Sequence, residues 1–185
     1  LYVVYQLDNL IKHFTLFILM KHFTLFIASV LISAGLQAQE ISKDLKPFRK
    51  IVASPRINVI LEKGDTESIR LVYDGVSKSK INIEVYRKRL SIYLDNARKI
   101  EKPSSDRDRY GTLNTAMYAG ASITAYVTYV ELESLEIRGN QELTCNGPIE
   151  SDEFRLRAYG ENEIRLASLK TGFFKASLYG ENELK

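Results

Sequence analysis

The sequence predicts an all-β protein, a single-stranded β-solenoid with coils of roughly 20 residues and more irregular strands towards its N-terminal side. Three observations predict it. Apolar and polar residues alternate with a period of two from Ile57 onward. Two near-identical segments, YGENEI at Tyr159 to Ile164 and YGENEL at Tyr179 to Leu184, recur 20 residues apart. After residue 39 the apolar residues never fall into a helical period of any length.

The front end stands apart from this pattern. Met20-Lys21-His22 opens a short basic segment, Phe23 to Leu36 is an apolar run, and Leu36-Gln37-Ala38 ends in a small residue before Gln39. Residues 20–38 therefore read as a secretory signal peptide, cleaved between Ala38 and Gln39, too short and wrongly flanked for a stable membrane span. A single anchor from Ile11 to Leu36 competes with this reading, but Lys21 and His22 interrupt it. Residues 1–19 carry KHFTLFI at 12–18, repeated at 21–27, and read as a duplicated or misplaced upstream segment. Residues 39–47 are expected as a short linker and 48–185 as the folded domain.

At 185 residues and 45% apolar composition, the chain has material for one core of ordinary size. Both histidines, His13 and His22, lie in the expected leader. The exported part then has no histidine, no tryptophan and a single cysteine, Cys145. Ser-His-Asp and Cys-His mechanisms are excluded from it, as are His/Cys zinc sites and internal disulfides. Without Lys12, Lys21 and Asp8, the 26 basic and 23 acidic residues become 24 and 22. The two signs alternate instead of clustering, so no nucleic-acid partner is expected.

The strands follow in order. Ile57, Val59 and Leu61 alternate with Asn58, Ile60 and Glu62 before the turn Lys63-Gly64-Asp65; a second strand runs from Ile69 to Tyr73. Ile81, Ile83 and Val85 share one face of a third, and Leu90, Ile92 and Leu94 one face of a fourth, with Arg87-Lys88-Arg89 as the polar link. Residues 95–115 carry Pro103, paired serines and dense mixed charge, the marks of an exposed loop. Ile123, Ala125, Val127 and Tyr129 then alternate along a further strand.

From Leu135 the chain repeats. Gly139, Gly160 and Gly180 are spaced by 21 and 20 residues. Ile137, Ala158 and Leu178 stand two before each glycine, Leu135, Leu156 and Ala176 four before, and Leu143, Ile164 and Leu184 four after. Phe154 aligns with Phe174, and Cys145 with Leu166, which makes Cys145 a small core residue. A unit this short cannot bury its apolar face alone, so copies should stack strand upon strand. Each glycine then supplies a corner bend, with Tyr159 and Tyr179 stacked outside and Ile164 and Leu184 pointing inward. A leucine-rich repeat competes, since Leu132, Leu135, Ile137 and Asn140 fit its pattern, with Leu143 one place beyond its last leucine. Glu161 and Glu181 break it where an asparagine is required.

The order and spacing of FRKIVASPRINVILEKGD at 48–65, RLSIYLD at 89–95, YVTYVELESLEIRGNQEL at 126–143 and the glycine corners resemble the auto-transporter adhesin "head GIN domain" family of Gram-negative bacteria. This chain has RGNQ and YGEN where members show small SGSG-like corners. The resemblance implies an exported all-β solenoid and supplies no catalytic residues. It also implies further coils after Lys185, so the domain is expected to be cut short at its C-terminal end.

The strongest constellation is a column of Glu142, Glu163 and Glu183, flanked by Glu161 and Glu181. A hard cation such as Ca²⁺ would use Glu163 and Glu183, with Asn162 and Asn182 as neutral oxygen ligands. The simpler reading has the glutamates splaying into water beside Arg138 and Arg165, so neither metal nor cofactor is expected. Tyr110, Tyr118, Tyr126, Tyr129, Tyr159 and Tyr179 could form a sugar-stacking face or simply pack the surface. These features favour an exported, non-catalytic, adhesin-like module that binds a surface glycan or protein through a repetitive β-face, in the periplasm, on the outer-membrane surface or outside the cell. A purely structural envelope solenoid is the alternative, and a polysaccharide-active β-helix enzyme fits less well. Self-association through the open C-terminal coil is also expected.

Overall fold

A computed structural model describes residues 39–99 and 116–185. The expected signal peptide, its Ala38 junction and residues 100–115 of the expected loop lie outside that range. All described residues belong to one compact unit, Gln39–Lys185.

That unit is all-β. Its strands are β1 (Gln39–Asp44), β2 (Lys50–Ala53), β3 (Asn58–Lys63), β4 (Ser68–Asp74), β5 (Ile81–Tyr86), β6 (Arg89–Leu94), β7 (Ser122–Tyr129), β8 (Ser134–Tyr179) and β9 (Asn182–Leu184). One 3-10 turn, Lys78–Lys80, is the sole helical piece among the described residues. All nine strands join one sheet in the order β1-β4-β7-β3-β8-β2-β6-β5, with β9 on β8. Alternation in the sequence becomes alternation in burial: Ile123, Ala125, Val127 and Tyr129 of β7 face a core shared with Ile69, Leu71 and Tyr73 of β4, which is the period a pleated strand imposes.

The sheet bends because β8 runs 46 residues through glycine corners. Before Gly139, Leu135 and Ile137 pair in parallel with Ile51 and Ala53 of β2, which pairs in parallel with β6. After it, Leu143 and Cys145 pair in parallel with Val59 and Leu61 of β3, which pairs in parallel with β7. One continuous sheet therefore makes two faces that enclose the core.

Stacking at the expected repeat length is seen where β9 lies parallel on β8, with Asn162 opposite Asn182, Glu163 opposite Glu183 and Ile164 opposite Leu184. The solenoid expectation does not extend to the N-terminal strands. β1–β4, β4–β7 and β5–β6 are antiparallel, whereas stacked coils of one strand each run parallel. The expected linker at 39–47 also needs correction, since Gln39–Asp44 forms an edge strand on β4. Ile41 packs against the core from it; its neighbours Glu40, Lys43 and Asp44 are polar enough to read as a tether.

Sequence reading also missed a coil. Ile51 pairs with Leu135 and Val59 with Leu143, so β2, the Ser54-Pro55-Arg56 bend and β3 repeat the 135–145 unit at a constant offset. Pro55 stands against Gly139. The insertion of β4 to β7 between the two copies, and a proline where later corners have glycine, hid that unit from a search for evenly spaced glycines.

Candidate functional site

Parallel stacking places chemically similar side chains in rows across the strands, and these rows are the candidate sites. At the corner, Gly139, Gly160 and Gly180 adopt φ values of 110°, 107° and 99°, a region open to glycine and costly for other residues. The three expected corner residues are thus brought together. Outside them, the rings of Tyr159 and Tyr179 stack at 5.0 Å and 5°, with the Arg138 guanidinium 5.1 Å from the Tyr159 ring centre. The other expected tyrosines separate from this pair. Tyr118 and Tyr129 are buried, Tyr126 lies under Arg70 at 4.0 Å, and Tyr110 lies outside the described residues.

Glu163 and Glu183 are adjacent across β8 and β9, and their charge is met by cations of the chain itself. Lys185 Nζ lies 2.8 Å from Glu163 and 3.2 Å from Glu183, and Arg165 also pairs with Glu163. Arg138, expected beside this corner, instead pairs with Glu136. Asn162 and Asn182 are not outward ligands. Asn162 is 4% exposed, and its Nδ2 donates to Tyr159 O at 3.2 Å and to Asn182 Oδ1 at 2.7 Å. Asn162 and Asn182 bond to each other inside the bend, one residue later than the leucine-rich pattern would place an asparagine, while the buried side-chain amide of Gln141, at the equivalent repeat position, has no hydrogen-bond partner. Among the described residues no group of three or more His, Cys, Asp or Glu side chains is placed to share a metal ion.

Hydrogen bonding from Lys185 holds the Glu163 carboxyl below the usual carboxylate range, with the charge of Arg165 adding to it against partial desolvation. A carboxyl depressed in the folded state stabilises that state above its unfolded pKa. The contribution is lost as pH falls through the folded pKa. Lys185→Met is therefore expected to move the Glu163 titration upward in a carbon-detected NMR titration, and to weaken the fold at neutral pH but not where Glu163 is protonated. An unmoved Glu163 titration would contradict the pairing.

Cys145 is buried as expected, with its thiol pushed up by burial. It donates to Gly147 O at 3.4 Å and lies 3.4 Å from the Tyr129 hydroxyl. A thiol so placed is poor in thiolate and closed to substrates.

A cleft of about 690 Å³ lies along β2, β6 and the segments 131–136 and 150–157 of β8. Its acids are largely engaged: Arg49 pairs with Glu131 and Glu133, Arg155 with Glu153, Arg157 with Glu136, and Lys63 with Glu150. Sequence reading passed over this face because the residues of each row lie far apart along the chain.

An all-β sheet with stacked glycine corners and a closed core defines the fold class of this domain. Residues 47–185 match the family described as "Putative auto-transporter adhesin, head GIN domain", and the chain belongs to that family. Solved structures share the fold at low identity. A putative adhesin from Parabacteroides merdae ATCC 43184 is 16% identical with a TM-score of 0.60, over 78% of this chain and 53% of its own. A putative adhesin from Parabacteroides distasonis ATCC 8503 is 14% identical with a TM-score of 0.62, over 81% and 56%. A putative lipid binding protein from the same strain is 12% identical with a TM-score of 0.54, over 82% and 61%. The chain thus spans less than two thirds of these proteins. No curated protein matches it.

Proposed function

We propose that the chain is an exported, non-catalytic, adhesin-like module that binds a polymer or protein across its outward strand rows. The observation that carries this reading is the in-register stacking of β2, β6, β8 and β9, which repeats outward side chains at strand spacing, about 4.8 Å. Such a surface suits a ligand that itself repeats. In this reading residues 134–185 act as solenoid coils set on an antiparallel N-terminal portion, and cleavage between Ala38 and Gln39 delivers the domain beyond the inner membrane. No helix among the described residues is long and apolar enough to cross a membrane.

Immobilised glycan and matrix-protein arrays test the binding role on the full chain. Saturable binding to at least one component is expected; the absence of any on both arrays would overturn it and favour a structural envelope role.

The corner acids are proposed to need no metal, because Arg165 and Lys185 already neutralise them. Melting curves with and without a chelator should superimpose. A fall of more than about 5 °C on chelation, on the order of 1 kcal/mol, would instead assign Glu163 and Glu183 a structural cation.

Phe173, Phe174, Leu178, Tyr179 and Leu184 are exposed together at the last coil. Self-association through them is the corresponding expectation. Light scattering after size exclusion should show mass rising with concentration, and a constant monomer mass would exclude it.

A further inference from the structure

We infer that the face formed by β6, β2 and the outer strands of β8 is a binding strip for a linear anionic polysaccharide. The inference rests on the binding role proposed above and names its ligand class. Register places Lys50 directly between Arg89 and Ser134. The backbone N–H of Arg155 donates to Glu133 O at 2.9 Å, which sets Arg155 beside Ser134. The stacking of Phe154 on Phe174 and of Tyr159 on Tyr179 sets Lys175 beside Arg155. The row therefore reads Arg89, Lys50, Ser134, Arg155, Lys175, with four cations, no acid and a length of about 19 Å over four strand steps.

Two features set this row apart from ordinary surface charge. Like charges directly opposite on neighbouring strands destabilise a sheet, and Lys50 and Arg89 are such a pair. Neither they nor Lys175 have an acidic partner among the described residues, while Arg49, Arg155 and Arg157 nearby are all paired. The second feature is the hairpin that leads into the row. Arg87 and Lys88, its two central residues, have φ of 48° and 59°. A two-residue turn of this kind favours Asn-Gly, yet two long cations occupy it at a conformational cost. Lys88 O also accepts from the N–H groups of Arg49 and Lys50, which fixes the turn against the row. Unrelieved repulsion and backbone strain thus converge on one basic strip, and strain of this kind gathers at functional sites.

The strip is one residue wide and bordered in its cleft by Glu131, Glu136, Asp152 and Glu153. A single chain bearing carboxylate or sulfate groups along its length can lie on the row and meet, of these acids, Glu153 alone, which Arg155 already pairs. A duplex, with phosphates on two edges, meets them. Ring-borne acids at regular intervals match a row of regular pitch.

The test is binding of the full chain to dextran sulfate and polygalacturonate, with unsulfated dextran and duplex DNA alongside, at low and high salt. Saturable, salt-sensitive binding to either anionic polysaccharide, and weaker binding to DNA and dextran, is expected. Lys50→Glu with Arg89→Glu should lower affinity by about tenfold or more. Lys88→Gly should lower affinity while raising Tm by about 2 °C, because glycine relieves the turn; a residue of purely structural importance would lower both. DNA binding as tight as polysaccharide binding, or an unchanged affinity in the charge-reversed variant, would overturn the inference. Binding to a neutral glycan or matrix protein alone would overturn it and leave the proposed function standing. No binding to these four probes would overturn the inference, and only a further absence of binding on the glycan and matrix-protein arrays would remove the proposed function as well.

Discussion

Gly160→Ala is expected to destabilise the domain by about 3–4 kcal/mol, combining strain at a glycine-only φ with overpacking against backbone. Gly160 sits at φ 107° between the other two corners, and a Cβ there would lie 2.2 Å from the carbonyl oxygen of Gly139. Nothing flexible can yield, since the contacting atom is main chain in the coil beneath. To accept a methyl group the coils must part, and parting them disturbs the Tyr159–Tyr179 stack and the Asn162–Asn182 bond. For a domain of this size the loss corresponds to a Tm drop of about 10 °C. Gly120→Ala is the control, because its Cβ would meet nothing within 4 Å. Urea melts of the two variants read the difference, and equal stabilities would show that the corners do not hold the coils in register.

That prediction was accessible from the letters alone up to a point. The spacing of Gly139, Gly160 and Gly180 and their flanking apolar columns identify a stacked corner, because each coil is a local stretch whose register is written in one continuous segment. Direction of pairing is not written that way. The alternation in Ile69–Tyr73 and Ser122–Tyr129 looks the same whether strands run parallel or antiparallel, so nothing in it distinguished the antiparallel β4–β7 ladder from another coil. The 48–63 coil escaped because Pro55 stands where the repeat has glycine, and because β4 to β7 interrupt the period.

The candidate sites divide along the same line. Glu163 and Glu183 are neighbours in a repeat and were found together. That Lys185 neutralises them depends on which side of the corner its side chain falls, which the repeat does not specify. Asn162 illustrates the limit differently: exposed glutamates on both sides suggest an exposed corner, yet the bend turns that one side chain inward to cap Tyr159 O. The row from Arg89 to Lys175 joins residues up to 125 positions apart, Lys50 and Lys175, and only the pairing register of β6, β2 and β8 makes them adjacent.

Phe154→Ala is expected to cost about 3–5 kcal/mol, the range for emptying a buried aromatic site. Phe154 is fully buried, and the ring of Phe174 stacks over it at 6.0 Å and 14°. Removing the lower ring leaves a cavity directly under the segment that carries Phe174. Backbone stacking holds the coil in place around that cavity, so the site cannot collapse freely. Phe174→Ala removes the upper ring, which is already 40% exposed, and should cost less, about 1–2 kcal/mol, since a large part of its area is in water before the change. The two phenylalanines occupy equivalent places in the repeat, so a difference of this size isolates burial from sequence identity. Hydrogen exchange adds a second readout. In Phe154→Ala the amides of Ala176 to Leu184 should lose protection before those of β2 and β3, because the last coil rests on the emptied site while β2 and β3 are covered by β6 and β7. Equal melting shifts for the two variants, or uniform loss of protection across all strands, would place the Phe154 ring outside the structural core and make the last coil independent of the one beneath it.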